Sequence, residues 1–204
     1  MDRNAAWCLL TEFTQSESLR KHALAVEACM RAYGRKFAAG SASASTNDEE
    51  LWGIVGLIHD FDYEKYPSLD DHPYKGNAVL KERGWPEVIK RAVMSHAEYT
   101  GVTRDSMMEK ALFACDELAG FIAACAYVRP EGISGMKPKS VRKKLKQPSF
   151  AAGVNRDDVY RGAEELEHVT GMSFDEHLQF VIDALAEHAG ELGLTGRQEP
   201  SATD

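Results

Sequence analysis

The fold class predicted by this sequence is all-α, a helical bundle, and three observations predict it. Apolar residues recur every third or fourth position through most of the chain, the spacing that lays a stripe along one helix face. Alternating runs of the strand type are nearly absent. Several apolar runs follow Ser, Thr, Asn or acidic residues, which satisfy the free N–H groups of a first helical turn.

The elements follow in order. Leu19, His22, Val26, Met30, Tyr33 and Phe37 form the first stripe, and Thr14-x-x-Glu17 reads as a capping box ahead of it. Gly40 to Asn47 reads as a flexible surface loop. Asn47-Asp48-Glu49-Glu50 then supplies an acidic helix start, and Leu51, Ile54, Val55 and Ile58 carry the next apolar face. That helix runs directly into His59-Asp60. The polar segment FDYEKYPSLDDHP contains two prolines and reads as an irregular connection.

A short helix is expected from Tyr74 to Arg83, closed by Gly84, with Pro86 in the first turn of the next. Ile89, Ala92, Val93 and His96 share a face there. A longer helix carries Leu112, Cys115, Ala119 and Ile122 and sets Asp116 beside its buried stripe. Residues 131–150 are rich in Gly, Pro and Lys, and weaker helices are expected near 156–168 and 174–192, the second opened by a Ser173-x-x-Glu176 box. Residues 1–130 thus form a helical core, 131–194 pack on the same domain, and 195–204 read as a frayed tail.

Composition bounds the function. A chain of 204 residues suits one compact domain able to bury roughly 70% of its unfolded surface without disulfides. The formal charge of −8 disfavours a surface that coats nucleic acid, so an anionic substrate needs local positive charge from metal or clustered Lys and Arg. The four cysteines form no CxxC pair, and Cys29, Cys115 and Cys125 read as small buried apolar residues. With no signal-like start and no membrane-length apolar run, the expected setting is the cytoplasm. Oligomeric state stays open, a homodimer included.

Chemistry concentrates in a few residues. His22 replaces an apolar residue in the first stripe, His96 does so two helices after the pair His59-Asp60, and Asp116 borders the core face of the long helix. A lone buried His is ordinarily a hydrogen-bonded core residue. A buried carboxylate needs a cation or several donors. Several such groups converging on one core point to a divalent metal as their common partner.

His22 in SLRKHALAV, His59-Asp60 in GLIHDFD and Asp116 in LFACDELAG resemble, in order and spacing, the H…HD…D pattern of the HD superfamily of metal-dependent phosphohydrolases. The resemblance covers roughly residues 15–130 and implies an HD-domain-like helical bundle in which these four residues bind one divalent ion. With His72 in HPYKGNAVL and His96 in MSHAEYTG, the chain resembles the H-HD-H-H-D variant, in which the extra histidines hold a second metal bridged by the HD aspartate. The bacterial HD-type diadenosine tetraphosphate hydrolases are similar in this stretch. One or two divalent ions are therefore implied, with Fe, Mn, Mg, Ni, Co and Zn all open.

Such ions lower the pKa of bound water and neutralise phosphate oxygens, so the expected activity is hydrolysis of a small nucleotide-like phosphomonoester or phosphodiester. Asp60 is the expected bridging group, and Asp62 or Glu64 is placed to position water or protonate a leaving group, unless both belong to a solvated acidic loop. Lys137, Lys139, Arg142, Lys143, Lys144 and Lys146 form a basic run in an acidic chain. It reads either as a solvated face or as a phosphate-binding lip, with Lys139 and Arg142 the candidate ligands, helped by a helix start at Ser140. Lys75 is a further candidate. His168, His177 and His188 read as surface residues. Two rival classes are a non-hydrolytic metal- or nucleotide-sensing module, disfavoured by the complete ligand set, and a nucleic-acid adaptor, disfavoured by the charge.

Overall fold

The computed structural model describes residues 1–38 and 49–196. The loop expected at 40–47, the helix start at Asn47-Asp48 and the tail beyond residue 196 lie outside the described residues. Among the described residues there are ten α-helices and no strand, so the fold is all-α. No described helix is long and apolar enough to cross a membrane.

Helix α1 (Arg3–Phe13) is absent from the elements expected above, although its signal is ordinary. Asp2 caps it by accepting from the Ala5 N–H at 2.9 Å, and Ala6, Leu9, Leu10 and Phe13 are its buried stripe. Thr14 is not the start of a capping box. It closes α1 instead, its N–H donating to the Leu10 carbonyl and its hydroxyl to the Phe61 carbonyl at 2.9 Å. The opening of α2 (Glu17–Ala38) is satisfied by Glu64, whose carboxylate accepts from the N–H groups of Gln15 and Ser16.

Helix α3 (Glu49–Ile58) lies along α2, and Gly56 permits the approach: a Cβ there would sit 2.8 Å from the Val26 carbonyl oxygen. The chain then passes through successive turns over residues 59–73, as its prolines and polar residues predict. Helices α4 (Tyr74–Glu82) and α5 (Glu87–Ser95) follow, with Pro86 as the residue before α5 rather than in its first turn.

The centre of the bundle is α6 (Met107–Tyr127), opened by a Ser106–Glu109 capping box. Leu112, Cys115, Leu118, Ala119 and Ile122 on it are fully buried, because α2, α5, α8 and α9 surround it. Helix α7 (Pro138–Leu145) starts at Pro138, two residues before the expected Ser140. Helix α8 (Arg156–Thr170) packs closely on α6, since a Cβ at Gly162 would lie 2.7 Å from Ala114 Cα. The expected 174–192 helix is two, α9 (Phe174–Glu187) and α10 (Ala189–Leu192), and the Ser173–Glu176 box is formed. His177 is not a surface residue. It is 1% exposed between the Tyr33 hydroxyl (2.6 Å) and the Ala114 carbonyl (3.0 Å).

Candidate metal centre

Six ligand-type side chains meet inside the bundle. His22 comes from the second turn of α2, His59 and Asp60 from the first turn beyond α3, and His72 from just before α4. His96 caps the C-terminus of α5, and Asp116 comes from α6. The local folding explains the placement: His22 and Asp116 interrupt the buried stripes of α2 and α6, while His59, Asp60 and His96 follow the buried stripes of α3 and α5 into the same interior.

The six form two groups sharing one member. His22, His59, Asp60 and Asp116 make the first, and Asp60, His72 and His96 the second, with ligand atoms in each within 4.8 Å of one another. Asp116 Oδ1 lies 3.1 Å from His22 Nε2 and 3.2 Å from His59 Nε2. The two oxygens of Asp60 divide between the groups. Oδ2 lies 3.7 Å from His59 Nε2, while Oδ1 lies 3.2 Å from His72 Nε2 and 3.0 Å from His96 Nε2.

Three of the imidazoles have their orientation fixed from behind. His59 Nδ1 donates to the Gly56 carbonyl at 2.8 Å and His96 Nδ1 to the Val93 carbonyl at 2.5 Å. His72 Nδ1 donates to Asp62 Oδ1 at 2.8 Å. In each case Nε2 is left facing the carboxylates, the arrangement in which an imidazole presents its lone pair to a metal. His59 Nε2 is the informative atom. It is fully buried, and although Asp116 and Asp60 are near, neither meets it with hydrogen-bond geometry. A buried polar atom without a hydrogen bond is uncommon and expects a partner of another kind. These groups can hold a metal ion.

Burial opposes charge on His59, but Asp116 and Asp60 outweigh it and raise its pKa to about 9. His72 is likewise raised to about 9, burial being overcome by Asp60 and Asp62. Burial works against charge on Asp60 and Asp116 too, yet the surrounding imidazoles hold both below the ordinary aspartate range.

The cluster opens into a cavity of about 550 Å³ whose lining includes Asp60, His72, His96 and Asp116. Size alone does not mark it: a cleft of about 680 Å³ bounded by Arg104 and Glu165 contains none of the cluster. The expected site residues divide sharply. The six metal-type ligands come together. Asp62 does not face the cavity; it is fully buried behind His72, with Oδ2 accepting from the Gly76 N–H at 2.8 Å. Glu64 is engaged at the start of α2. Lys75 pairs with Asp71 at 3.0 Å, and Arg142 pairs with Asp175 at 3.1 Å beside the Phe174 ring. Neither of them, nor the exposed Lys139, lines the cavity.

Other residues do line it. Glu98 follows His96 by two positions, Glu117 adjoins Asp116, and Asp158 and Arg161 arrive from α8. Burial, reinforced by Asp116, raises the Glu117 carboxyl to about 7. Proximity to the ligands in sequence was a signal for Glu98 and Glu117. Asp158 and Arg161 gave none, because their helix reads as an ordinary solvated amphipath and only the close α6–α8 packing brings them to the rim. Compared with family models, curated proteins and solved structures, the chain gives no match, so its own geometry carries the functional reading.

Proposed function

We propose that this chain is a metal-dependent phosphohydrolase of the HD superfamily, acting on a small nucleotide-like phosphoester. One observation carries the reading: Asp60 turns Oδ2 toward His59 Nε2 and Oδ1 toward His72 and His96 Nε2, the disposition a carboxylate shared between two ions needs. His22, His59, Asp60 and Asp116 would hold one divalent ion, and Asp60, His72 and His96 a second. Four imidazoles favour Fe, Co, Ni or Zn over Mg, which prefers an all-oxygen shell. When bound, the ions supply a Lewis acid and water activated for attack at neutral pH.

The chain's own contribution is geometric and electrostatic. The imidazoles complete each ligand set without adding negative charge that would repel phosphate. Their Nδ1 bonds to Gly56, Val93 and Asp62 hold the rings in the ligating tautomer, which makes Asp62 a positioning residue. Buried residues of α3, α5 and α6 lie behind the cluster, and the open cavity offers an approach to it. The proposed setting is the cytoplasm, where Cys29 and Cys115, both buried and free, stay reduced.

The test is hydrolysis of a panel of nucleotides and dinucleoside polyphosphates by chelated and by metal-reconstituted protein. Turnover restored by a transition ion supports the reading. Metal and nucleotide binding with no turnover of any ester would overturn it in favour of a sensing module.

A further inference from the structure

The cavity over the ligand cluster has two unlike halves. Its inner wall is the imidazole and carboxylate cluster, and it is a ligand site on independent grounds: the buried His59 Nε2 beside that wall has no hydrogen-bond partner. Its outer wall carries Glu98 from the turn after α5, Glu117 from α6, and Asp158 and Arg161 from α8. Tyr63 and Tyr99, residues 42% and 44% exposed, flank it.

Among the described residues Arg161 is the single Lys or Arg lining the cavity. Its positive charge is already matched, since its guanidinium lies 2.9 Å from Glu98 Oε2 while Glu98 Oε1 accepts from Arg104 at 2.5 Å. The basic run that could have balanced a polyanion, around Lys139 and Arg142, lies outside the cavity. A phosphate seated at the metal centre therefore places the rest of its molecule against the carboxylates of Glu117 and Asp158, beside an Arg161–Glu98–Arg104 group whose charges are paired with one another and with Glu165. A second phosphate or a carboxylate in that position meets like charge. A hydroxyl or an ammonium meets acceptors.

Resting on the phosphohydrolase reading of the centre, we propose that the cavity selects esters of a single phosphate whose alcohol carries hydrogen-bond donors and no second anion. Asp158 is the specificity-determining acceptor, and Glu98 acts by holding the charge of Arg161. Asp158 is held in place for this role by Asn155, whose side-chain amide donates to Oδ2 at 2.6 Å. Polyphosphate chains, which require several cations along their length, are excluded by the same wall.

Three esters of similar size separate the alternatives: 2-aminoethyl phosphate, 2-hydroxyethyl phosphate and phosphoglycolate. Their binding to the metal-loaded protein is measured by calorimetry near pH 8, where carboxylates are ionised, and their turnover is measured separately. The expected result is that the amino and hydroxy esters bind at least about tenfold more tightly than phosphoglycolate. Asp158→Asn combined with Glu98→Gln should narrow that gap by about tenfold. Asp158→Asn alone leaves the Arg161–Glu98–Arg104 pairing intact and should narrow it in the same direction. The difference between the amino and hydroxy esters distinguishes an ammonium from a hydroxyl as the preferred donor. Phosphoglycolate binding as tightly as 2-hydroxyethyl phosphate, or a gap unmoved in both variants, would overturn the proposal. Selective binding with no turnover of any ester would instead refute the hydrolase reading and leave the selectivity of the cavity standing.

Discussion

Asp62 Oδ1 lies 2.8 Å from His72 Nδ1 inside a pocket that leaves no part of Asp62 exposed, and Gly76 sets that contact. The Gly76 N–H holds the other oxygen of Asp62, and a Cβ on residue 76 would stand 2.5 Å from Asp62 Cγ. Gly76→Ala should therefore push Asp62 off His72 and weaken the His72–His96 metal position by roughly 10- to 100-fold. Metal titration checks it. The first position, built without His72, should keep its affinity, and Asp62→Asn should reproduce the split. Equal loss at both positions would mean that the glycine supports the fold rather than one ligand.

Asp60 belongs to both ligand groups, and His96 to one. Asp60→Ala should remove bound metal and abolish turnover, while helix content survives because α3 already ends at Ile58. His96→Ala should lower the metal content by about one ion per chain and spare the first position. Elemental analysis with circular dichroism reads both. Full activity in Asp60→Ala would dismiss the metal centre as the seat of reaction.

The helical class was legible from local rules, and so were His22, His96 and Asp116, while the full ligand set was expected from the family resemblance. A stripe of period 3.6 reports a helix wherever it occurs, and a His or Asp interrupting such a stripe, as His22 and Asp116 do, is visible without knowing what it faces. The roles of Asp62 and Arg161 were not legible, since each depends on how another segment folds against it: the turn and helix start 10 and 14 residues on for Asp62, and the α6–α8 packing for Arg161. Asp62 looks like one acid in a polar loop until Gly76 and His72 close around it. Arg161 looks solvated until Gly162 lets α8 approach Ala114. His177 misled for the same reason: the Tyr33 and Ala114 groups that satisfy it lie 144 and 63 residues away.

His177 also gives the fold a measurable acid sensitivity. Burial outweighs its bond to the Ala114 carbonyl and lowers its pKa to about 4. In the unfolded chain the same imidazole titrates near 6.5. Between those values the unfolded state binds a proton that the folded state refuses, so the stabilising difference is intact above about pH 6.5 and is lost as pH falls toward 4. The full loss is about 3 kcal/mol. Denaturant midpoints at neutral and acid pH should fall less steeply in His177→Gln than in the parent. Identical pH slopes would place the acid sensitivity elsewhere.

The basic run is expected to be dispensable for catalysis. Arg142 faces Asp175 at 3.1 Å and lies by the Phe174 ring at 6.0 Å, so its charge is engaged at the start of α9. Lys139 is exposed, and neither residue lines the cavity where phosphate would be held. Long-range attraction remains available to the run, but ions screen it within about 10 Å at ordinary salt. Arg142→Ala combined with Lys139→Ala should therefore leave kcat and KM for a phosphoester within about twofold of the parent at physiological ionic strength. Thermal stability should fall slightly, since an exposed pair of the Arg142–Asp175 kind contributes little. A severalfold rise in KM with unchanged metal content would return these two residues to the substrate path and require the segment to close over the cavity when substrate binds.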